Sequence, residues 1–211
     1  RGDREDDPAH HRYWRREVEV VASGILDNLP GNLAGPKCFG ITRISDDEYW
    51  LWLEEVRNEL GAHWPLDKYP PVARHLGQLN GAFLTGRPMP EDPWLSRNWL
   101  RSVVSDAADG MELLQDSLEH PLVGRWFAGS VARDTFRLWD EREVFLDALD
   151  RLPQTCCHRD ANWRNLFYQR AVEGEDRTVA IDWAESGQGA VGEEIVGLVG
   201  SSVAFRQVDV E

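Results

Sequence analysis

One stretch of the chain combines residue types and spacing that could do chemistry. It reads His158-Arg159-Asp160-Ala161-Asn162-Trp163-Arg164-Asn165, followed by the apolar pair Leu166-Phe167. Further on, the apolar run Val179-Ala180-Ile181 delivers Asp182, with Trp183 behind it. A carboxylate beside a hydroxyl can orient it and accept its proton. A carboxylate and an amide oxygen can hold magnesium, which prefers hard oxygen ligands. Phosphoryl transfer asks for that equipment, because it needs alignment and charge-holding more than covalent help. Asp160, Asn165 and Asp182 are therefore the expected catalytic residues. Asp160 serves as the base or orienting carboxylate, and Asn165 and Asp182 hold the metal.

A plainer reading makes this stretch a polar turn in which Asp160 and Asn165 cap backbone groups. That accounts for either residue singly, but not for their pairing with the apolar-flanked Asp182. A metal cluster of Cys156, Cys157, His158 and Asp160 is a second rival. Successive strand residues point to opposite faces, so the two cysteines are poorly placed to share one ion. His158 is expected to brace the loop.

The elements around this stretch follow from hydrophobic period. Val18, Val21, Ile25 and Leu29 lie at helical spacing, predicting a helix over 14–29 that Pro30-Gly31 ends. Strands are predicted over 36–44 and 48–53, with a turn at Asp46-Asp47. The second, Tyr49-Trp50-Leu51-Trp52-Leu53, is bulky on both faces, as in a sheet covered on each side. Val72, Leu76, Leu79 and Phe83 mark a further helix, and 98–109, 111–118, 123–139 and 141–152 are also predicted helical. Thr155-Cys156-Cys157 leads into His158. Short strands over 166–168 and 178–181 flank a charged turn at 173–177, and the apolar stretch 195–205 reads as a last helix. There are no internal repeats or low-complexity segments.

The 211 residues suit one large domain or two small ones. A net charge of −14 argues against nonspecific nucleic-acid binding, which rests on Lys and Arg neutralising phosphates. It would suit a cationic substrate, and it equally describes a soluble surface. The ten tryptophans lie mostly in apolar stretches and read as packing. Of three cysteines, Cys156 and Cys157 are adjacent and poorly placed to bridge, so no disulfide framework is expected. No apolar run reaches membrane-spanning length, and neither a signal peptide nor an Asn-X-Ser/Thr sequon is present. A soluble cytoplasmic protein without membrane or nucleic-acid partners is the expectation. The Arg1-Gly2-Asp3 triplet carries little weight, and both ends of the chain read as abrupt.

His158-Arg159-Asp160, four residues, Asn165 and a later strand-borne Asp182 match the kinase signature. The chain resembles the aminoglycoside phosphotransferase and choline kinase group. That resemblance implies an α+β, protein-kinase-like bilobal fold. Residues 1–54 would be part of the small lobe, and 55–211 a helical large lobe carrying the catalytic loop. It also implies ATP and Mg²⁺ as cofactors and a small-molecule hydroxyl as acceptor. Trp14-Arg15-Arg16-Glu17 resembles the start of the small-lobe helix whose Glu pairs with the ATP-positioning Lys; Glu17 would take that part, with Glu19 second. Trp52-Leu53-Glu54-Glu55-Val56 resembles the strand-to-hinge passage that meets adenine, making Glu54, Glu55 and Val56 cofactor-binding candidates. Leu76 to Gly81 resembles a helix common in the group. Gly192-Glu193-Glu194-Ile195 falls where the family often has an Asp that braces the region after the metal-binding strand; here that residue would be Glu.

Two departures qualify the resemblance. No lysine precedes Lys37, and no glycine-rich strand pair precedes the first helix, so the front of the small lobe and the last helices are expected to be missing. Arg159 stands where the family more often has Gly. A protein kinase ranks third, because Trp183-Ala184 follows Asp182 in place of Phe-Gly, and no Ala-Pro-Glu anchor follows. A noncatalytic kinase-like binding module, or an inactive fragment, is the alternative from another class.

Overall fold

The computed structural model describes residues 5–60, 64–127, 129–171 and 174–204. The Arg1-Gly2-Asp3 triplet, Glu173 of the charged turn, Phe205 and the closing 208–211 lie outside them.

Helix α1 runs over Arg16–Ala22, shorter than its apolar spacing predicts. Gly24 explains the difference: it takes a left-handed φ of 74°, which glycine adopts without a Cβ clash, and a 3₁₀ turn over Ile25–Asn28 follows. Strand β1 (Leu33–Ala34) was not expected. It pairs parallel to a strand near the far end of the chain, placing Leu33 beside Thr178. Strands β2 (Cys38–Ser45) and β3 (Glu48–Leu53) form an antiparallel hairpin, with Gly40 opposite Trp52 and Thr42 opposite Trp50. The expectation that β3 is covered on both faces fails. The sheet has two strands, and Trp50 and Trp52 are 48% and 53% exposed on one side.

Helix α2 (Tyr69–Leu84) starts on two prolines, whose missing N–H groups cost nothing in a first turn. Its predicted stripe of Val72, Leu76, Leu79 and Phe83 is buried. It packs on β4 (Gln154–Cys157), tied by Asn80 donating to the Cys156 carbonyl at 2.9 Å and Thr155 donating to the Asn80 carbonyl at 2.8 Å. Between them run α3 (Trp99–Asp106), α4 (Ala108–Asp116), α5 (Pro121–Gly124), α6 (Ser130–Asp140) and α7 (Arg142–Asp150). The single helix predicted over 123–139 is broken before α6, where Gly129 has a positive φ of 59°.

Strands β5 (Leu166–Gln169) and β6 (Arg177–Ala180) form a hairpin that β1 extends, in the order β1-β6-β5. Strand β7 (Gly187–Ala190), too rich in glycine to announce itself, pairs with β4. A π-helical turn over Val196–Gly200 leads into α8 (Ser201–Ala204). One core joins α1, α2 and strands β1, β4, β5 and β6, with Val20, Leu76, Leu79, Trp94, Leu166, Trp183 and Leu198 in it. Two small sheets thus end at the ends of one loop, 158–165, and at Asp182. No described helix is long and apolar enough to cross a membrane.

Candidate active site

The loop after β4 folds back on its own carboxylate. Asn162 Nδ2 donates to Asp160 Oδ1 and Asn165 Nδ2 to Asp160 Oδ2, each at 2.7 Å. Both amides also reach the Asp160 carbonyl at 3.1 Å. The carboxylate is thereby fixed in orientation, and each oxygen keeps further lone pairs for an incoming donor. With its nitrogen turned to Asp160, Asn165 presents Oδ1 at the other end of the amide. Asn162 was not singled out from the sequence, although an Asn two residues after an Asp is a spacing that favours such local bonds.

Asp182 reaches this loop through Ile181. The Ile181 N–H donates to the Asn165 carbonyl at 2.9 Å, and the Ile181 carbonyl accepts from His158 Nε2 at 2.9 Å. A carbonyl only accepts, so the proton lies on Nε2, and Nδ1 is free to accept from the Asp160 N–H at 3.3 Å. His158 is fully buried and stacks edge-on to Trp183, with ring centroids 4.6 Å apart. It braces the loop, linking the residue before Asp182 to Asp160. Asp182 itself is exposed. Asn165 Oδ1 and the Asp182 carboxylate are hard oxygen donors of the kind Mg²⁺ takes, so the residues present fit that ion.

Arg159 and Asp182 are the non-glycine residues with left-handed backbone among the described residues, with φ of 71° and 61°. Such a conformation costs an L-residue about 1–2 kcal/mol and persists where surroundings impose it, commonly at functional sites. For Arg159 the restraints are visible. Its guanidinium pairs with Glu193 and the Gln188 carbonyl and lies 4.9 Å from the Trp99 ring centre. Gly189 leaves the room: a Cβ there would sit 2.6 Å from Arg159 Nη2. The positive φ also explains why glycine suits this position.

Glu194 anchors the same corner. Its Oε2 accepts from the His158 N–H at 2.9 Å and its Oε1 from the Arg159 N–H at 2.8 Å. Glu193 holds the Arg159 side chain, and Glu194 holds the backbone at the start of the loop. Glu194→Ala would orphan one buried and one half-buried N–H group, the buried one costing about 1–3 kcal/mol and the other less. Urea unfolding should show a loss of that order, with Glu194→Gln, which keeps one acceptor, falling between.

Helix α1 lies against the chain just past Asp182. Glu17 lies close enough to the Trp183 N–H and to Asp182 to feel both. Burial first, then Asp182, pushes the Glu17 carboxyl above its ordinary value, against the pull of that N–H. Lys37 lies over Phe39 and Lys68 pairs with Asp67, so the chain's lysines are engaged elsewhere. Glu185, also missed from the sequence, accepts from Trp99 Nε1 at 2.8 Å. Burial raises its carboxyl, with Asp160 adding to the rise and Trp99, His11 and Arg16 opposing it.

A carboxyl raised on folding costs nothing below its unfolded value, and destabilises as pH climbs through its folded value. Glu17→Gln should therefore raise Tm at about pH 8 and lose that gain near pH 3, below the ordinary glutamate value. Equal gains at both pH values would remove Asp182 and burial as the cause.

The hinge candidates sit at the base of the β2–β3 hairpin. Glu54 Oε1 accepts from the Lys37 N–H and the Glu54 N–H donates to the Lys37 carbonyl, both at 2.9 Å. That side chain closes the hairpin, leaving the exposed Glu55 and half-buried Val56 on the connecting chain.

An α+β chain with a strand–loop–strand centre of this kind has the kinase-like fold. A solved GDP and kanamycin complex of the aminoglycoside phosphotransferase APH(2")-IIia is similar to it, with a TM-score of 0.51 at 16% identity. The likeness covers 92% of this chain and 64% of that one, so the chain spans just under two thirds of that protein. No protein-family model and no curated protein sequence matches the chain.

Proposed function

We propose that this chain carries the catalytic and metal-holding part of a phosphotransferase that moves the γ-phosphate of ATP to a hydroxyl of a small molecule. The observation that carries the reading is the closed set of contacts from Asp160 through Asn165 and Ile181 to Asp182. Asp160, held by two amides, orients the acceptor hydroxyl and takes its proton. Asn165 Oδ1 and Asp182 hold Mg²⁺, which when bound neutralises charge on the nucleotide phosphates. Glu54 to Val56 offer backbone groups to the base, and Glu17 supports the phosphate side. A division near residue 54 into a partial small lobe and a helical large lobe belongs to the same reading. The solved relative was captured with GDP and kanamycin, which supports a nucleotide and a small polar acceptor here and leaves GTP to be tried beside ATP. The net charge of −14 favours a cationic acceptor.

A noncatalytic module is the second reading, favoured by Glu17 lying near Asp182 without the lysine that the resemblance pairs with it. The deciding experiment is an acceptor screen of the intact protein with MgATP and MgGTP, coupled to release of ADP or GDP. Transfer to a hydroxyl supports the enzyme. Nucleotide bound with no acceptor turned over supports the module.

A further inference from the structure

Arg16 is fully buried, and its side chain makes five hydrogen bonds, every one to a backbone carbonyl. Nε donates to Trp94 at 3.0 Å. Nη1 donates to His11 at 2.7 Å and Ala184 at 3.0 Å. Nη2 donates to Pro8 at 2.9 Å and His10 at 2.6 Å. A guanidinium has five N–H donors, so the inventory is complete. Burial opposes its charge, and no carboxylate is among its hydrogen-bond partners; the carbonyl dipoles solvate it instead. A lysine, with three donors, could not fill this position.

The five carbonyls come from three places: a strap over 5–13, the chain before α3, and Ala184, two residues past Asp182. The strap is itself latched to α3. His10 and His11 meet Asp106 at 3.3 and 3.0 Å, and Arg12 pairs with the same carboxylate. His10 Nδ1 accepts from the Arg12 N–H at 3.2 Å, which puts the proton on Nε2. That cluster is thus a closed set of hydrogen bonds rather than a cation site. On α1, Arg16 grips the Ala184 carbonyl, and its neighbour Glu17 lies close enough to Asp182 to feel its charge. One helix therefore holds the chain two residues after Asp182, whose own backbone is left-handed.

We infer that Arg16 is a positioning residue for the metal-holding turn, setting Asp182 through Ala184 and coupling it to the N-terminal strap. The metal part of this inference rests on the phosphotransferase reading; the positioning part does not. In the intact protein, Arg16→Lys should speed amide exchange at Ser186, whose N–H donates to the Trp183 carbonyl at 3.1 Å, while Leu146→Ala, a cavity in α7, lowers stability without that local effect. With Mn²⁺ and ADP as probes, Arg16→Lys should weaken Mn²⁺ binding by about 10–100-fold, the usual cost of losing outer support of a metal ligand, and Leu146→Ala should not. Unchanged exchange at Ser186 in Arg16→Lys overturns the inference, as does equal loss in Leu146→Ala. If the unaltered protein binds no Mn²⁺ with ADP, the phosphotransferase reading fails, and the exchange measurement still decides the role of Arg16.

Discussion

Asp160→Ala should lower phosphoryl transfer by between about 10² and 10⁴-fold, the span that a positioned proton acceptor contributes, while nucleotide binding persists. The contacts explain why the loss is separable. Both amides that hold the carboxylate also donate to the Asp160 carbonyl at 3.1 Å, and alanine keeps that carbonyl. Asn162 and Asn165 therefore stay anchored, and Asn165 Oδ1 keeps its place for the proposed metal. Asp160→Asn is the worse probe, because one end of its amide would set a donor against the donors of Asn162 or Asn165. Turnover would be followed by release of ADP or GDP with whichever acceptor the screen finds, and affinity by nucleotide titration. Turnover within a few-fold of the unaltered protein would remove Asp160 from its assigned role.

The site was more legible in the sequence than the frame that holds it. Asp160, Asn165 and Asp182 stand in a fixed spacing between short apolar runs, and spacing survives in a one-dimensional reading. The structure joins Asp160 to Asn165 directly and brings Asp182 up through Ile181. The long helices of 69–150 were readable because their apolar period is long enough to average over. What failed was short or non-local. Strand β1 has two residues and exists only because β6 lies beside it. Strand β7 is half glycine and pairs with β4 across the whole loop. Gly24 and Gly129 cut helices whose apolar period runs on past them, because period reports a face and not a backbone dihedral. Trp50 and Trp52 looked like a covered strand, since bulk on both sides shows how much could be buried and not whether a neighbour buries it. Arg16 was quoted only as part of a helix start. Its five carbonyl partners carry no side-chain signature, so no residue pattern could have named them.

Asp182→Asn should act on the other half of the chemistry. Asparagine tolerates the left-handed backbone found there and keeps one oxygen, so the turn should hold its shape. The charge that draws a divalent ion is lost. Mg²⁺-dependent nucleotide affinity should fall by at least the roughly 10–100-fold that losing outer support alone costs, whereas Asp160→Ala leaves it in place. Stability should move the opposite way. Asp182 is one of the two causes that raise the Glu17 carboxyl, the other and larger being burial. Without it, the folded-state value of Glu17 drops toward its unfolded one, so less stability is lost as pH rises through that range. Asp182→Asn should thus melt above the unaltered protein at about pH 8 and approach it near pH 3. Because Glu17→Gln removes the other end of the same repulsion, the double variant should gain less than the sum of the two single gains. Strict additivity would mean that the two carboxylates do not face each other, and the phosphate side of the site would then have to be built without Glu17.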